Sequence, residues 1–78
     1  METRSEDKGK CGIYCIINTI NGKVYVGKSI NIYNRIRRHI RYCDTQDLDE
    51  NRHLIRSWNK YGREAFEYTV LEYLEPKE

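Results

Sequence analysis

Four side chains that could act together in catalysis lie within one short part of the sequence: Tyr14, Tyr25, Arg35 and His39. Arg35 and His39 are four residues apart, so a helix would place them side by side. An arginine held in this way can bind a phosphate group through two parallel hydrogen bonds, and a histidine can carry a proton near neutral pH. The set suggests chemistry on a phosphate ester, although each residue taken alone is more typical of ordinary packing or solvation.

A β-hairpin would bring the two tyrosines together. Segments 12–18 and 23–29 are rich in Ile, Val and Tyr, and the Asn21-Gly22 pair between them predicts a two-residue turn. With that turn, the two sequence numbers of each cross-strand pair add up to 43. Because side chains alternate along a strand, one face of the hairpin would carry both tyrosines and the other would carry the small apolar residues.

The tyrosine face is the predicted site, and the opposite face is the predicted core. The tyrosine face is expected to contain Tyr14, Ile16, Asn18, Tyr25, Gly27 and Ser29. The opposite face is expected to contain Ile13, Cys15, Ile17, Val24 and Val26. Gly27 has no side chain, so we expect a ligand to approach the backbone there.

The remaining elements follow from periodicity. Ile32, Ile36, Ile40 and Cys43 recur at helical spacing after two candidate caps, Ser29 and Asn31, which predicts a helix over about 31–43. An Asp47 cap and a stripe of Leu54, Ile55, Trp58 and Tyr61 predict a second helix over about 48–61, ended by Gly62. The β-prone run Phe66 to Leu74 predicts a third strand. The expected fold is α/β, of the α+β kind: a three-stranded antiparallel sheet flanked by helices in the order β-β-α-α-β, with residues 1–10 as a disordered tail.

Composition and cysteine usage restrict the class of protein. The 78 residues are 38% hydrophobic and 33% charged, which is typical of one globular domain. No apolar run is long enough to cross a membrane and no signal sequence is visible, so we expect a cytoplasmic, intracellular protein without a membrane partner. The three cysteines, Cys11, Cys15 and Cys43, match neither a disulfide framework nor a zinc template.

Charge is segregated along the chain. From Lys8 to Cys43 there are eight basic residues and no acidic one, whereas the rest of the chain is net acidic. This pattern predicts a polyanionic partner, of which nucleic acid is the commonest. We expect one positive surface around the two tyrosines, formed by Lys23, Lys28, Arg35, Arg37, Arg38 and Arg41. The alternative is that these bases pair with carboxylates of the acidic half, such as Glu64, Glu67 and Glu72, after folding.

Two separated motifs resemble one nuclease family. The triplet GIY at residues 12–14, a ten-residue spacer, YVG at 25–27 and RIRRH at 35–39 resemble the GIY-YIG endonuclease family. The stretch RSWNKYGREAFEYTVLEYL at 56–74 is similar to the homing endonuclease branch found in phages and introns. The resemblance implies that residues 11–78 form a nuclease domain, C-terminally incomplete, that hydrolyses phosphodiester bonds of double-stranded DNA with a divalent metal ion, expected to be Mg²⁺. It also implies a monomer encoded by a virus or mobile element, with no obligatory small-molecule ligand.

The resemblance also assigns roles to residues. Tyr14 would act on or near the attacking water, Tyr25 and Arg35 would contact the scissile phosphate, and His39 would assist proton movement. The expected DNA contacts are Gly27, Lys28, Arg37, Arg38 and Arg41.

The metal ligand implied by the resemblance is not found in this sequence. The family carries it as a glutamate on a helix after the third strand, whereas this sequence ends at Glu78. The carboxylates Glu67, Glu72, Glu75 and Glu78 lie outside the expected context, so the metal residue is unknown. We expect either a fragment of a longer nuclease or a truncated, inactive DNA-binding module, and we expect the 78-residue chain alone to cut weakly or not at all. A small domain that binds an acidic protein is a third alternative.

Overall fold

The structure, a computed structural model, describes residues 1–46 and 51–75. Its main elements are β1 (Cys11–Asn18), β2 (Val24–Ser29), α1 (Ile32–Asp44), α2 (Arg52–Tyr61) and β3 (Phe66–Leu74). Short 3-10 turns occur at Ser5–Asp7 and Arg63–Ala65. The three strands form one antiparallel sheet in the order β2-β1-β3, so the predicted fold class and the order β-β-α-α-β are confirmed.

The hairpin keeps its predicted faces but not its predicted register. Tyr14 lies opposite Gly27, and Ile16 lies opposite Tyr25, so paired residue numbers sum to 41 rather than 43. A shift of two residues returns every side chain to the same face. The prediction that both tyrosines share a face is therefore confirmed, and the new register makes them diagonal neighbours, for which a Cα separation of about 7–8 Å is typical.

The loop explains the shift in register. The backbone N–H of Asn18 donates to the carbonyl of Lys23 at 2.9 Å, so four residues, and not two, connect the strands. The side-chain oxygen of Asn18 accepts a hydrogen bond from the N–H of Ile20 at 2.9 Å, which organises the start of this loop. Gly22 adopts a φ of 77°, a conformation that glycine tolerates best. The predicted two-residue turn at Asn21-Gly22 is wrong because the Asn18 side chain favours a wider loop.

The predicted core face is also wrong. The side of the sheet that carries the tyrosines is the side covered by the helices, and Tyr14, Ile16 and Asn18 are all buried there. On the opposite side Val24 and Val26 are 49% and 68% exposed. Alternation groups residues by face but does not say which face the helices cover. The helices cover the face to which β3 adds two further aromatic rings, Phe66 and Tyr68, because this face offers more apolar area.

The first helix supplies the predicted apolar stripe. Ile32, Ile36 and Cys43 are fully buried, and the neighbouring Ile40 packs against the same cluster. The side-chain oxygen of Asn31 accepts a hydrogen bond from the N–H of Asn34 at 3.2 Å, so Asn31 is the N-cap. This cap sets the starting point of α1 and thereby the position of its later side chains.

The second helix begins later than predicted. Asn51 caps it by accepting a hydrogen bond from the N–H of Leu54 at 3.0 Å, so α2 starts at Arg52. The predicted Asp47 cap lies outside the described residues. The helix ends as predicted, because Gly62 follows it with a φ of 86° and its N–H donates to the carbonyl of Trp58 at 2.8 Å.

The amino-terminal segment is not the disordered tail that we predicted. Asp7 is completely buried, and its carboxylate accepts hydrogen bonds from the hydroxyls of Tyr68 at 2.5 Å and Tyr73 at 2.7 Å. Arg4 donates to the same carboxylate at 3.2 Å. Met1 is also buried against the core. The segment looked unpatterned because polar bonds, rather than apolar periodicity, hold it against β3.

No helix within the described ranges is long and apolar enough to cross a membrane.

Candidate active site

The site is built around the hydroxyl of Tyr14, on the central strand. This oxygen lies 2.7 Å from Nε2 of His39 on α1. The other ring nitrogen of His39, Nδ1, is hydrogen-bonded to the hydroxyl of Tyr42, three residues later on the same helix. Tyr14, His39 and Tyr42 are 3%, 6% and 5% exposed, so the three rings form a buried chain of hydrogen bonds.

The rings in this chain meet edge to face. The Tyr14 and His39 centroids are 5.8 Å apart with 65° between their planes. The His39 and Tyr42 centroids are 5.2 Å apart with 72° between the planes. This geometry, together with the bonds at both nitrogens, fixes the orientation of the imidazole.

Gly27 makes room for Tyr14. A Cβ atom at Gly27 would lie 2.5 Å from both Cζ and Oη of Tyr14, which is closer than real contacts allow. The space that we expected to admit a ligand is therefore filled by the phenol itself. The absence of a side chain at Gly27 therefore accommodates the Tyr14 ring. The predicted contact between Gly27 and DNA stays a prediction.

Tyr25 is held differently from Tyr14. Its side chain is half-buried, and its hydroxyl lies 3.0 Å from Oγ of Ser57 on α2. The ammonium of Lys23 lies 5.7 Å from the Tyr25 ring centroid, within the range of a cation–π contact. One tyrosine of the pair is thus enclosed, and the other is accessible beside a positive charge.

Arg35 lies one turn before His39 on α1 and is half-buried. It makes no ion pair with any part of the chain that the structure describes. Because a helix turns by about 100° per residue, Arg35 and Tyr42 project from the same flank of α1, with His39 close by. A half-buried guanidinium without a carboxylate partner in residues 1–46 and 51–75 is available for an anionic ligand.

The predicted positive surface around the tyrosines is only partly formed. Lys28 is exposed opposite Ile13 and alternates with Gly27, so it lies on the other face of the sheet. Arg37 and Arg41 project away from Arg35. They line an open groove of about 400 Å³ together with Glu2, Thr3, Ile40 and Arg63. Arg38 is exposed. The spacing of bases along the sequence could not reveal this division between two faces.

The alternative in which the acidic half neutralises the basic segment is not observed in the described ranges. Glu64, Glu67 and Glu72 form no ion pair there. Within residues 1–46 and 51–75, one ion pair between residues distant in the sequence joins Nη1 of Arg63 to Oδ2 of Asp44 at 3.3 Å, and Arg63 lies outside the basic segment.

A metal ion would need ligands beyond those gathered around Tyr14. Within residues 1–46 and 51–75 no group of three His, Cys, Asp or Glu side chains is arranged to hold an ion. The atoms that Tyr14, His39 and Tyr42 direct at one another are two phenol oxygens and two imidazole nitrogens, whereas Mg²⁺ favours carboxylate oxygens. These residues do not fit a divalent metal by themselves.

This fold and site belong to a known class of nuclease domain. The GIY-YIG catalytic domain family matches residues 10–78. The chain therefore belongs to the GIY-YIG family, as the two triplets and the arginine-histidine motif indicated. GIY-YIG nucleases generally use a divalent metal ion.

Two relatives and two solved structures support this assignment. The chain is 43% identical over 67 residues to intron-associated endonuclease 1 of Enterobacteria phage T4, covering 81% of the chain and 25% of that protein. It is 33% identical over 66 residues to probable intron-encoded endonuclease 1 of Neurospora crassa, covering 85% of the chain and 20% of that protein. The chain thus spans about a quarter or less of these relatives.

The solved structures show the same fold. The catalytic domain of the homing endonuclease I-TevI superimposes with a TM-score of 0.73 at 36% identity, covering 87% of this chain and 72% of that one. A single-site mutant of the same catalytic domain gives 0.73 at 40% identity, covering 83% and 65%.

Sequence reasoning missed Tyr42 and Ser57, the hydroxyl partners of His39 and Tyr25. Tyr42 gave a usable signal, because it lies three residues after His39 and seven after Arg35 and so falls on their side of the helix. Ser57 gave none, because its contact depends on how α2 crosses the sheet.

Proposed function

We propose that this chain is the catalytic part of a DNA endonuclease that hydrolyses a phosphodiester bond, with Mg²⁺ as the divalent ion. The observation that carries the proposal is the 2.7 Å hydrogen bond between the Tyr14 hydroxyl and Nε2 of His39 in a GIY-YIG domain. A phenol must lose its own proton before it can act as a base on the attacking water, and an imidazole in direct contact can take that proton. Double-stranded DNA is the proposed substrate, and the relatives are named as intron endonucleases.

The other predicted residues have complementary roles in this proposal. Arg35 and Tyr25, the half-buried pair, bind the scissile phosphate and stabilise the charge that develops on it in the transition state. The exposed Arg37, Arg38 and Arg41 hold the flanking backbone of the duplex. A divalent ion, when bound, would supply compensation for phosphoryl charge, and it would need ligands other than Tyr14, His39 and Tyr42.

The proposal is tested by comparing two arginine variants in nicking of a supercoiled plasmid at low salt, with Mg²⁺ and with EDTA. The assay uses the polypeptide in which this domain naturally occurs. Arg35→Ala should lower the rate at saturating DNA by about 10²–10³-fold, because it removes a contact to transition-state charge, and should leave DNA binding nearly unchanged.

Arg37→Ala is the matched control on the same helix. It should weaken DNA binding and flatten the salt dependence without changing the saturated rate. If Arg35→Ala cuts at the normal rate, or if both variants affect only binding, the catalytic assignment of Arg35 is wrong. Binding without Mg²⁺-dependent nicking by the unmodified polypeptide would favour the non-catalytic DNA-binding module instead.

A further inference from the structure

We propose that Tyr42 is a positioning residue that, together with Tyr14, holds His39 in the tautomer whose Nε2 atom can take the Tyr14 proton. This inference rests on the proposed function. It adds a residue that neither triplet nor the arginine-histidine motif contains.

The buried hydroxyl of Tyr14 needs an acceptor for its hydrogen. Its hydrogen-bond partner within the described part of the chain is Nε2 of His39, and Tyr14 is only 3% exposed. A buried hydroxyl hydrogen that lacks an acceptor is costly. Tyr14 avoids this cost by donating to Nε2, which requires Nε2 to carry a lone pair rather than a hydrogen.

A neutral imidazole carries hydrogen on one of its two ring nitrogens. When Nε2 has no hydrogen, Nδ1 carries one and must donate it. The hydroxyl oxygen of Tyr42 is in hydrogen-bond contact with Nδ1 and can accept it. The hydrogen bonds of the cluster therefore run in one direction, from Tyr14 to His39 to Tyr42.

The order of these hydrogen bonds has a consequence for catalysis. Transfer of the Tyr14 hydroxyl proton to Nε2 leaves a phenolate on Tyr14 and a positively charged imidazolium on His39. The imidazolium keeps its Nδ1 hydrogen bonded to Tyr42, and this bond becomes stronger once the donor is charged. Tyr42 thus has the place of the third group that orients a base in other nucleophile-and-base arrangements. It touches neither the phosphate nor the water in this scheme.

The test combines NMR of the imidazole nitrogens with cleavage kinetics. In ¹⁵N-labelled protein, two-bond proton–nitrogen correlations identify which ring nitrogen carries hydrogen. The exposed His53 on α2 provides an internal reference. His39 should be held as the Nδ1–H tautomer. In Tyr42→Phe the share of the Nε2–H tautomer should rise, because only the Tyr14 hydroxyl then favours Nδ1–H. Tyr33→Phe is the matched control, because Tyr33 is a half-buried tyrosine on the same helix whose ring contacts Lys8 and Arg37.

The kinetic arm uses the plasmid assay. Tyr42→Phe should lower the saturated nicking rate about 10–100-fold, the range typical when the hydrogen-bond partner behind a functional histidine is lost. The acidic limb of the pH–rate profile should move to lower pH, because the imidazolium loses the acceptor of its Nδ1 hydrogen. DNA binding should be unchanged, and Tyr33→Phe should alter neither measurement.

The outcomes separate this inference from the proposed function. An Nε2–H tautomer of His39 in the unmodified protein, or a mixture like that of His53, overturns the inference even if Tyr42→Phe does not fold. An altered tautomer with an unchanged nicking rate and pH profile overturns the catalytic part. The expected tautomer in a protein that binds DNA but never nicks it supports the hydrogen-bond order and refutes the nuclease proposal.

Discussion

Two clusters of polar side chains, each built on tyrosine hydroxyls of the sheet, differ in the group that the hydroxyl contacts. In one, the hydroxyl of Tyr14 meets the imidazole of His39. In the other, the hydroxyls of Tyr68 and Tyr73 meet the carboxylate of Asp7. An imidazole can take a proton from a phenol near neutral pH, whereas a carboxylate that is already ionised holds the phenol proton in place.

Electrostatics of the Asp7 cluster agree with a purely structural role. Burial, together with the hydrogen bond to Asp7, raises the pKa of Tyr68 above its usual value. The hydrogen bond to Asp7, with a smaller effect of burial, raises the pKa of Tyr73. Both phenols are therefore held in the protonated form. The identity of the acceptor, rather than burial or the number of hydrogen bonds, distinguishes a candidate catalytic cluster from a structural one.

The largest expected effect is on catalysis. His39→Gln should reduce the saturated nicking rate by about 10²–10⁴-fold, because the amide accepts a hydrogen bond but cannot carry the proton. Its free energy of unfolding should change less than that of the Asp7 variant described next. Plasmid nicking and urea unfolding measured on the same preparation check both statements. A variant that is unstable but still cuts would invert the proposed roles of the two clusters.

The second prediction concerns the structural cluster. Asp7→Ala should lower the free energy of unfolding by about 2–4 kcal/mol, because two tyrosine hydroxyls and Arg4 lose a fully buried acceptor. Glu6→Ala is the matched control, since this neighbouring carboxylate is 72% exposed. It should change stability by less than about 0.5 kcal/mol. Equal losses of unfolding free energy in Asp7→Ala and Glu6→Ala would show that burial of Asp7 contributes nothing to stability.

The comparison also shows what the sequence could and could not predict. Helical spacing identified the stripe of Ile32 and Ile36, and β-propensity placed β3 at its observed bounds, because both signals are local. The register was not predictable from Asn21-Gly22, since a hydrogen bond from the N–H of Ile20 to the side-chain oxygen of Asn18 determines the loop. The buried face depended on the packing of distant elements.

The difference between local signals and contacts of distant residues also applies to the two clusters. The His39 cluster was partly predictable because its residues recur at fixed spacing around two motifs. The Asp7 cluster was not, because Asp7 and Tyr68 are 61 positions apart and no periodicity connects them. Polar contacts of this kind leave no pattern in the chain.

The third prediction tests the packing that shapes the catalytic cluster. Gly27→Ala should destabilise the domain by about 1–3 kcal/mol, because its new methyl group would overlap the Tyr14 ring and hydroxyl. Combining it with Tyr14→Phe should cost less than the sum of the two single changes, since loss of the hydroxyl removes part of the overlap. Urea unfolding of the four proteins gives the coupling. Strict additivity would mean that Gly27 does not accommodate the Tyr14 hydroxyl.

The smallest expected effect is the pH dependence of the structural cluster. Burial by itself raises the pKa of Asp7, but hydrogen bonds from Tyr68 and Tyr73 and the positive charge of Arg4 outweigh it, so the folded-state pKa lies below the usual value. When the pH falls, the unfolded chain binds the proton first. The stabilisation from Asp7 is therefore present above the usual pKa, near pH 4, and is lost as the pH falls through the lower folded value. Urea unfolding should show the difference in free energy between the unmodified protein and Asp7→Asn shrinking from pH 7 to pH 3. A difference that is constant, or that grows in acid, would show that the carboxylate charge does not stabilise the amino-terminal segment, and the contrast with His39 would then rest on geometry alone.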